Sequence, residues 1–261
     1  MSNNILWLAL WLDAPLQSWG FESRFERRHT AMFPTKSGVL GLVLAAMGVP
    51  KGSGCESVTL AAFAASGMVC ARIPRRNQRR KNQPLPVRRL TDYHTILGTR
   101  TADNPKPRKE NTVQSWRDYL MDARFGVLLP GKSGTVEEAA RKLIDPIWGV
   151  WLGRKSCPPA APLLVRAPDL ECAPGVFPDR KTSKRALLRH VSQLDEIEVA
   201  ELPSLKDFAR LEDVADFKSG TDTWNDQPLS FGTGDSSGVE GREFAPRRIL
   251  IKPADPAQTE D

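Results

Sequence analysis

ILWLALWL, residues 5–12, is the stretch on which the fold turns. Eight apolar residues, two of them Trp, run without interruption into Asp13-Ala14-Pro15. A strand with one wet face alternates apolar and polar residues. A strand covered on both faces reads as a continuous apolar run. The run is about half the length needed to cross a bilayer, as is the other long apolar run, residues 39–47. It therefore predicts a central strand with packed layers on both sides. Outward from it, residues 13–34 form a loop rich in Arg, aromatic residues and Gly, followed by PTKSGVLGLVLAAMG (34–48). Thr35 or Ser37 caps the start of a helix there, and Gly48 with Pro50 ends it. That helix is apolar nearly all round, so it packs deep against a sheet.

Further along, residues 58–65 fit helix or strand equally, and residues 68–73 read as a strand. Residues 87–97 (VRRLTDYHTIL) carry the β-branched and aromatic character of a strand. TVQSWRDYLM (112–121) reads as a short helix, residues 123–129 as a strand and 130–134 as a turn. TVEEAARKLI (135–144) reads as an amphipathic helix, with Glu138 three residues after a Thr135 cap. Strand, helix, strand, insertion, strand, helix is the order of a split βαβ unit. The expected class is α+β: a ferredoxin-like (RRM-like) palm at 1–160, a protruding basic β-hairpin inserted at about 74–115, and a β-rich C-terminal extension at 161–252. Within that extension, the apolar spacing of Leu205, Phe208, Leu211, Val214 and Phe217 predicts a helix over 204–217, and 248–252 reads as a strand. Residues 253–261 read as a disordered tail.

Charge is unevenly distributed. Residues 72–109 hold twelve Arg and Lys against Asp92 and Asp103, a net +10 in a chain whose total is +6. Five prolines and few large apolar residues leave this segment unable to bury a core of its own, so it projects as an arm. A concentrated cationic segment on a near-neutral body is the footprint of a polyanion binder. A solvated basic loop without a partner is the plainer alternative. The N-terminus has neither the basic start nor the cleavage site of a signal peptide, and no membrane-spanning segment is legible, which points to the cytoplasm. Cys55, Cys70, Cys157 and Cys172 form no CxxC pair and have no His at ligand spacing, so reduced cysteines are expected rather than a metal site.

One motif misleads. GVLLPGKS (126–133) fits the phosphate-loop pattern GxxxxGK[ST]. Its middle residues belong to a predicted strand, and Pro130 has no N–H to offer a phosphate, so an NTPase is rejected. Other segments fit nucleic acid better. Gln17, Ser18 and Trp19 follow the first strand with amide, hydroxyl and indole groups. Thr35, Lys36 and Ser37 stand at a helix N-terminus, where free N–H groups and a cation can hold a phosphate. A capped helix with a solvent-facing lysine fits the same residues. Arg88, Arg89, Tyr93 and His94 mix cations and rings able to stack on unpaired bases, and a paired strand with Tyr93 half buried is the alternative. Arg154, Lys155 and Ser156 add two cations in a tight turn. Catalysis has a thin basis: His29, His94 and His190 are the only histidines, and no paired carboxylates or HxxxH spacing would hold a metal. No catalytic residue, metal or cofactor is assigned.

Five blocks, APLQSWG (14–20), FPTKSGVLGLVLAAMG (33–48), RLTDYHTILG (89–98), TVQSWRDYLMDARF (112–125) and WLGRKSCP (151–158), resemble in order and spacing the CRISPR-associated family-five subunits of type I-E systems, the CasD family. DQPLSF (226–231) and REFAPRRILI (242–251) are a weaker echo, and nothing is carried over for 176–223. The resemblance implies a RAMP-type palm with a thumb. It implies a non-catalytic subunit of the Cascade surveillance complex in antiviral defence that binds the 5′ handle of crRNA. It implies contacts with a CasC-like backbone subunit and a CasA-like large subunit, a different subunit doing the RNA cutting. The residues that would hold the handle are Gln17, Ser18, Trp19, Thr35, Lys36, Ser37, Arg88, Arg89, Tyr93, His94, Arg154, Lys155 and Ser156. The 72–81 run is open between a contact with target DNA, a contact with a neighbouring subunit and a disordered loop. In type I-C systems a relative cuts the precursor RNA, so a metal-independent endoribonuclease is the competing expectation.

Overall fold

A computed structural model describes residues 4–23, 26–64, 67–77, 83–98, 112–168, 170–195, 204–215, 218–232 and 241–255. Much of the cationic run, including Arg79, Arg80, Lys81, Arg100, Lys106, Arg108 and Lys109, lies outside them, as do residues 256–261 of the tail. In chain order the elements are β1 (Ile5–Asp13), β2 (Leu16–Gln17), β3 (Arg27–Arg28), α1 (Lys36–Met47), α2 (Gly54–Ala64), β4 (Val69–Arg72), β5 (Arg76–Asn77), β6 (Gln83–Pro84), β7 (Arg88–Leu97), β8 (Thr112–Met121), β9 (Arg124–Lys132), α3 (Ser133–Ile144), β10 (Val176–Phe177), α4 (Arg180–Asp195), β11 (Ala209–Asp213), β12 (Asp222–Phe231) and β13 (Arg242–Lys252). The class is α+β, built on a seven-stranded sheet in the order β10-β1-β9-β4-β11-β13-β12, with every neighbouring pair antiparallel.

The continuous apolar run of β1 is explained by this placement. Leu8, Leu10 and Leu12 face the core beneath α1, α2 and α3, with Val39, Val43, Phe63, Val136 and Ala139. Ala9 and Trp11 face the opposite layer with Ala186, Leu187 and Val191 of α4. α1 is capped as expected: Thr35 Oγ1 accepts from the Gly38 N–H at 3.2 Å, and Gly48, in the left-handed region at φ 67°, closes the C-terminus.

Several local expectations fail, each for a tertiary reason. Residues 112–121 are not a helix but β8, paired along its whole length with β7 from Arg88↔Met121 to Leu97↔Thr112. No turn interrupts 130–134: β9 runs to Lys132 and α3 starts at Ser133, one turn earlier than a Thr135 cap would set it. Pro130 lies past the end of the β4 pairing and opposite Trp7 of β1, a position where the ladder loses least. Gly131 is needed there because a Cβ would meet the Phe63 ring at 2.7 Å. The phosphate-loop match is thereby sheet backbone, since 126–132 pair with β1. Nor is 204–215 a helix, and Phe217 of the expected stripe lies outside the described residues. A single 3-10 turn, Leu205–Asp207, leads into β11, which is held between β4 and β13. α4 has no counterpart among the elements expected from the sequence. Asp179 starts it, accepting from the Thr182 N–H at 2.8 Å, and the Arg124 guanidinium ties its last residue, Asp195, to β9 at 2.7 and 3.0 Å.

The second sheet sits beside the first. β8 pairs antiparallel with β2 and β7 and parallel with β3, bringing residues 16–17, 27–28, 88–97 and 112–121 together. β5 and β6 form a short ribbon.

Candidate nucleic-acid interface

The turn at 153–156 is fixed by its neighbour in space. The Ser18 N–H donates to the Leu152 carbonyl at 3.0 Å, and the Cys157 N–H closes the turn on the Arg154 carbonyl at 2.8 Å. Gly153 adopts φ 98°, and a Cβ there would lie 1.6 Å from the Ser18 carbonyl oxygen. Only glycine satisfies both demands. The turn is thus pressed onto residues 17–19, and it presents Arg154 over the Tyr119 ring, 4.8 Å from its centroid. Arg154 Nη2 donates to the Arg28 carbonyl at 2.9 Å, whereas Nη1 has no hydrogen-bond partner among the described residues. Lys155 Nζ stands 5.9 Å from the Trp151 ring centroid, and Ser156 Oγ 3.4 Å from Tyr119 Oη.

Two clefts meet at Arg154. The larger, about 660 Å³, is bounded by Arg154, Lys155 and Ser156 on one side and by Leu90, Asp92, His94, Arg117 and Tyr119 of the β7–β8 pair on the other. The second, about 320 Å³, runs from Ser18, Thr35 and Ser37 past Arg154 to Lys51, Arg242, Phe231 and Phe244. Cations and rings are therefore interleaved along one surface, the arrangement that tracks a single-stranded backbone while stacking its bases.

The β7–β8 pairing divides the predicted cluster between two faces. His94 looks into the larger cleft with Arg117. Tyr93, 52% exposed, lies on the other face, its ring 5.4 Å from that of Trp116, with the Arg27 guanidinium 5.5 Å from Trp116. Arg89 shares that face and reaches Met32 Sδ at 3.5 Å, while Arg88 is exposed at the start of β7. Asp118 braces the sheet between the faces. Its carboxylate accepts from Thr91 Oγ1 at 2.7 Å and meets His29 Nδ1 at 2.9 Å, and its carbonyl accepts from Ser18 Oγ at 3.0 Å. Burial pushes the Asp118 pKa up, but the hydrogen bonds from His29 and Thr91 outweigh it and hold the carboxyl below the usual aspartate range.

Burial corrects three of the sequence assignments. Gln17 is fully buried, its amide donating to the carbonyls of Leu12 at 3.1 Å and Ala123 at 2.6 Å while its oxygen accepts from the Trp19 indole N–H at 3.1 Å. The Trp19 ring is equally enclosed, packed against Gly38, where a Cβ would come within 2.9 Å of it. Neither side chain is open to a base. Lys36, 2% exposed, is not a solvent-facing cation: its ammonium pairs with Asp213 at 3.2 Å, and desolvation lowers its pKa. An internal carboxylate already occupies the helix N-terminus, Asp226 Oδ2 accepting from the Lys36 N–H at 2.7 Å. Arg247 bridges Asp226 at 2.7 and 2.8 Å and also contacts Asp213, so two cations and two carboxylates form one buried network joining α1, β11, β12 and β13. Thr35 caps α1 and Ser18 anchors β8, so both line the second cleft chiefly with backbone and hydroxyl edges.

A helical reading of 112–121 hides Trp116, Arg117 and Tyr119. A period-2 reading would have set them opposite Tyr93, Asp92 and Leu90. For Lys51, Phe231, Arg242 and Phe244 no local signal exists. His94 Nδ1 is 3.7 Å from the Asp92 carboxylate, too far for a hydrogen bond. Among the described residues no three His, Cys, Asp or Glu are grouped to hold a metal ion, and no helix is long and apolar enough to cross a membrane.

Comparisons with known proteins bear on this arrangement. The profile of the family described as CRISPR-associated protein (Cas_Cas5) matches residues 7–234. The CRISPR system Cascade subunit CasD of Escherichia coli (strain K12) is 33% identical over 162 residues, 61% of this chain and 70% of that protein. A chain in a structure titled CRISPR RNA-guided surveillance complex superposes with a TM-score of 0.59 at 27% identity, over 95% of this chain and 90% of that one. A second, titled Crystal structure of Cas protein, shares the fold at a TM-score of 0.52 and 23% identity, over 96% and 100% of the two chains. The profile match spans most of the sequence, and the chain belongs to the CRISPR-associated Cas5 (Cas_Cas5) protein family.

Proposed function

We propose that this protein is a non-catalytic subunit of a Cascade-type CRISPR surveillance complex and grips the 5′ handle of crRNA along the two clefts that meet at Arg154. The convergence of those clefts on one ring-stacked guanidinium carries the reading. Phosphates fall to Arg154, Lys155, Arg117, Arg88 and Arg89. Unpaired bases stack on His94 in the larger cleft, Tyr93 and Trp116 offer a second stacking pair on the opposite face of the β7–β8 sheet, and Ser18, Thr35, Ser37 and Ser156 offer hydroxyls to base edges or 2′-OH groups. Gln17, Trp19 and Lys36 hold the frame on which these groups stand.

The antiparallel order β10-β1-β9-β4, with α1 and α3 in the connections, supports a ferredoxin-like palm. The ten-residue β7–β8 pair supports a thumb at about 74–115. A CasC-like backbone subunit and a CasA-like large subunit are the expected neighbours, in the cytoplasm, with target DNA a candidate contact of the 72–81 run.

Equilibrium binding of purified protein to handle RNA and to a scrambled RNA of equal length tests this. Handle affinity should be greater and should fall steeply with salt. Arg154→Ala should lower it by about 1–2 kcal/mol, the effect of a charged hydrogen bond, and should reduce the log–log salt slope by about 0.7, one single-strand phosphate. Unchanged affinity and slope would remove Arg154 from the site. A single cut in repeat RNA incubated with EDTA, abolished by His94→Ala, would instead establish the endoribonuclease.

A further inference from the structure

α4 carries a charge pattern that neither cleft uses. Its sequence, RKTSKRALLRHVSQLD (180–195), holds five Arg and Lys and no carboxylate before its last residue, Asp195. Ala186, Leu187 and Val191 pack in the layer opposite α1, α2 and α3. The outward arc presents Arg180, Lys181, Lys184 and Arg185. Cations in the first turn oppose the helix dipole. Arg180 with Lys184, and Lys181 with Arg185, are like-charge pairs one turn apart. Helix stability alone disfavours each of these choices.

Neighbouring strands add to the charge. Glu212 of β11 lies amid Arg180 Nη2 at 2.9 Å, Arg210 Nε at 3.0 Å and Lys252 Nζ at 3.9 Å, so one carboxylate serves three cations. Lys184 stands in the same group. Burial and then Arg180 lower its pKa, and Glu212 only partly opposes them. Among the described residues Lys184 and Arg185 make no ion pair, and Lys181 faces only Asp179. Asp179 also accepts from the Thr182 N–H at 2.8 Å, so the helix N-terminus itself is occupied. Six cations against two carboxylates leave a strongly positive surface.

What this surface lacks narrows its partner. The one aromatic side chain of α4, His190, is turned edge-on to Trp11 with ring centroids 5.3 Å apart, so α4 offers no platform for an unpaired base. The hydroxyls beside the cations are engaged, Thr182 Oγ1 donating to Asp179 at 2.7 Å and Ser183 Oγ to the Arg180 carbonyl at 2.9 Å, which leaves them unable to read 2′-OH groups. Leu194, the one exposed large apolar side chain of α4, lies at its far end, so the anchor of a protein interface is missing. Cations without rings, free hydroxyls or anchors match a DNA duplex, which carries one phosphate charge about every 1.7 Å.

We propose that the outer face of α4, with Arg210 and Lys252 beside it, is a sequence-independent docking surface for double-stranded DNA, with Lys181, Lys184 and Arg185 taking phosphates. It shares no residue with the clefts at Arg154, and it stands whether or not RNA occupies them.

Fluorescence anisotropy of the full chain with a short labelled DNA duplex of random sequence tests it. Affinity should fall steeply with salt. Lys181→Ala and Arg185→Ala should each lower the log–log salt slope by about 0.9, one counterion released from B-DNA, and the affinity roughly five- to tenfold at low salt. Arg185→Glu should bind more weakly still while its thermal midpoint holds or rises, because it replaces a like-charge pair with Lys181 by an opposite one. A helix face with a merely structural role would not couple weaker binding to undiminished stability. Unchanged duplex affinity and slope in Lys181→Ala and Arg185→Ala overturns the surface, as does a duplex RNA or polyglutamate that binds the wild type more tightly than the DNA does. The α4 variants should keep full affinity for handle RNA, and Arg154→Ala should keep full affinity for the duplex. If Arg154→Ala weakens the duplex and the α4 variants do not, the DNA lies in the clefts and the α4 surface falls. If the α4 variants lose the duplex while Arg154→Ala leaves handle binding intact, the handle reading falls alone.

Discussion

At the scale of single residues, burial decides which polar side chains can meet a ligand. Lys36 illustrates the point: by sequence it is a cation at a helix N-terminus, and in the fold it neutralises Asp213 inside a network with Arg247 and Asp226. Removing one partner of a buried ion pair leaves an uncompensated charge. Lys36→Ala should therefore cost about 3 kcal/mol of stability, below the top of the usual range because Arg247 still faces Asp213. Chemical denaturation measures it, and RNA affinity of the fraction that remains folded should be nearly unaltered. Gly153 is the opposite case, a residue without a side chain that sets the site. Gly153→Ala forces backbone strain and a clash with the Ser18 carbonyl, so the melting point should fall, by at least about 1–3 kcal/mol in free energy, and handle binding should fall with it as Arg154 leaves Tyr119. A full-affinity, fully stable Gly153→Ala protein would show that the turn does not position Arg154.

At the scale of elements, the sequence was most legible where one segment's own pattern decides its state. ILWLALWL reads as a buried central strand and is one, and Thr35 with Gly48 brackets α1. Where the partner decides, local reading failed. TVQSWRDYLM has Trp116, Tyr119 and Leu120 at helical spacing, yet β7 supplies ten residues of register that a helix could not use. Leu205, Phe208 and Leu211 likewise mimic a helical stripe, while β11 is held by β4, some 140 residues earlier, and β13, some 40 later. The β7–β8 pairing separates neighbours in sequence, Tyr93 to one face and His94 to the other, and that separation is open to test. Tyr93→Ala should weaken RNA binding by about 1–3 kcal/mol, the worth of a stacked base, with little change in unfolding free energy because the ring is half exposed. Fluorescence quenching of Trp116 by bound RNA should be diminished in the same variant. Equal affinity would assign that face to another partner.

At the scale of the whole molecule, the charge pattern was legible early and its geometry was not. The +10 segment marked a polyanion binder, but Lys51, Phe231, Arg242 and Phe244 join Arg154 only because β12 and β13 fold back beside α1 and α2, locked there by Asp226 and Arg247. An RNA grip centred on Arg154 is the claim on which the rest depends. Photo-crosslinking of the protein to its own crRNA, read by mass spectrometry of the attached peptides, tests it most directly. Crosslinks should fall within 88–97, 112–121 and 151–158. Crosslinks confined to the α4 face, with none in those three segments, would contradict it.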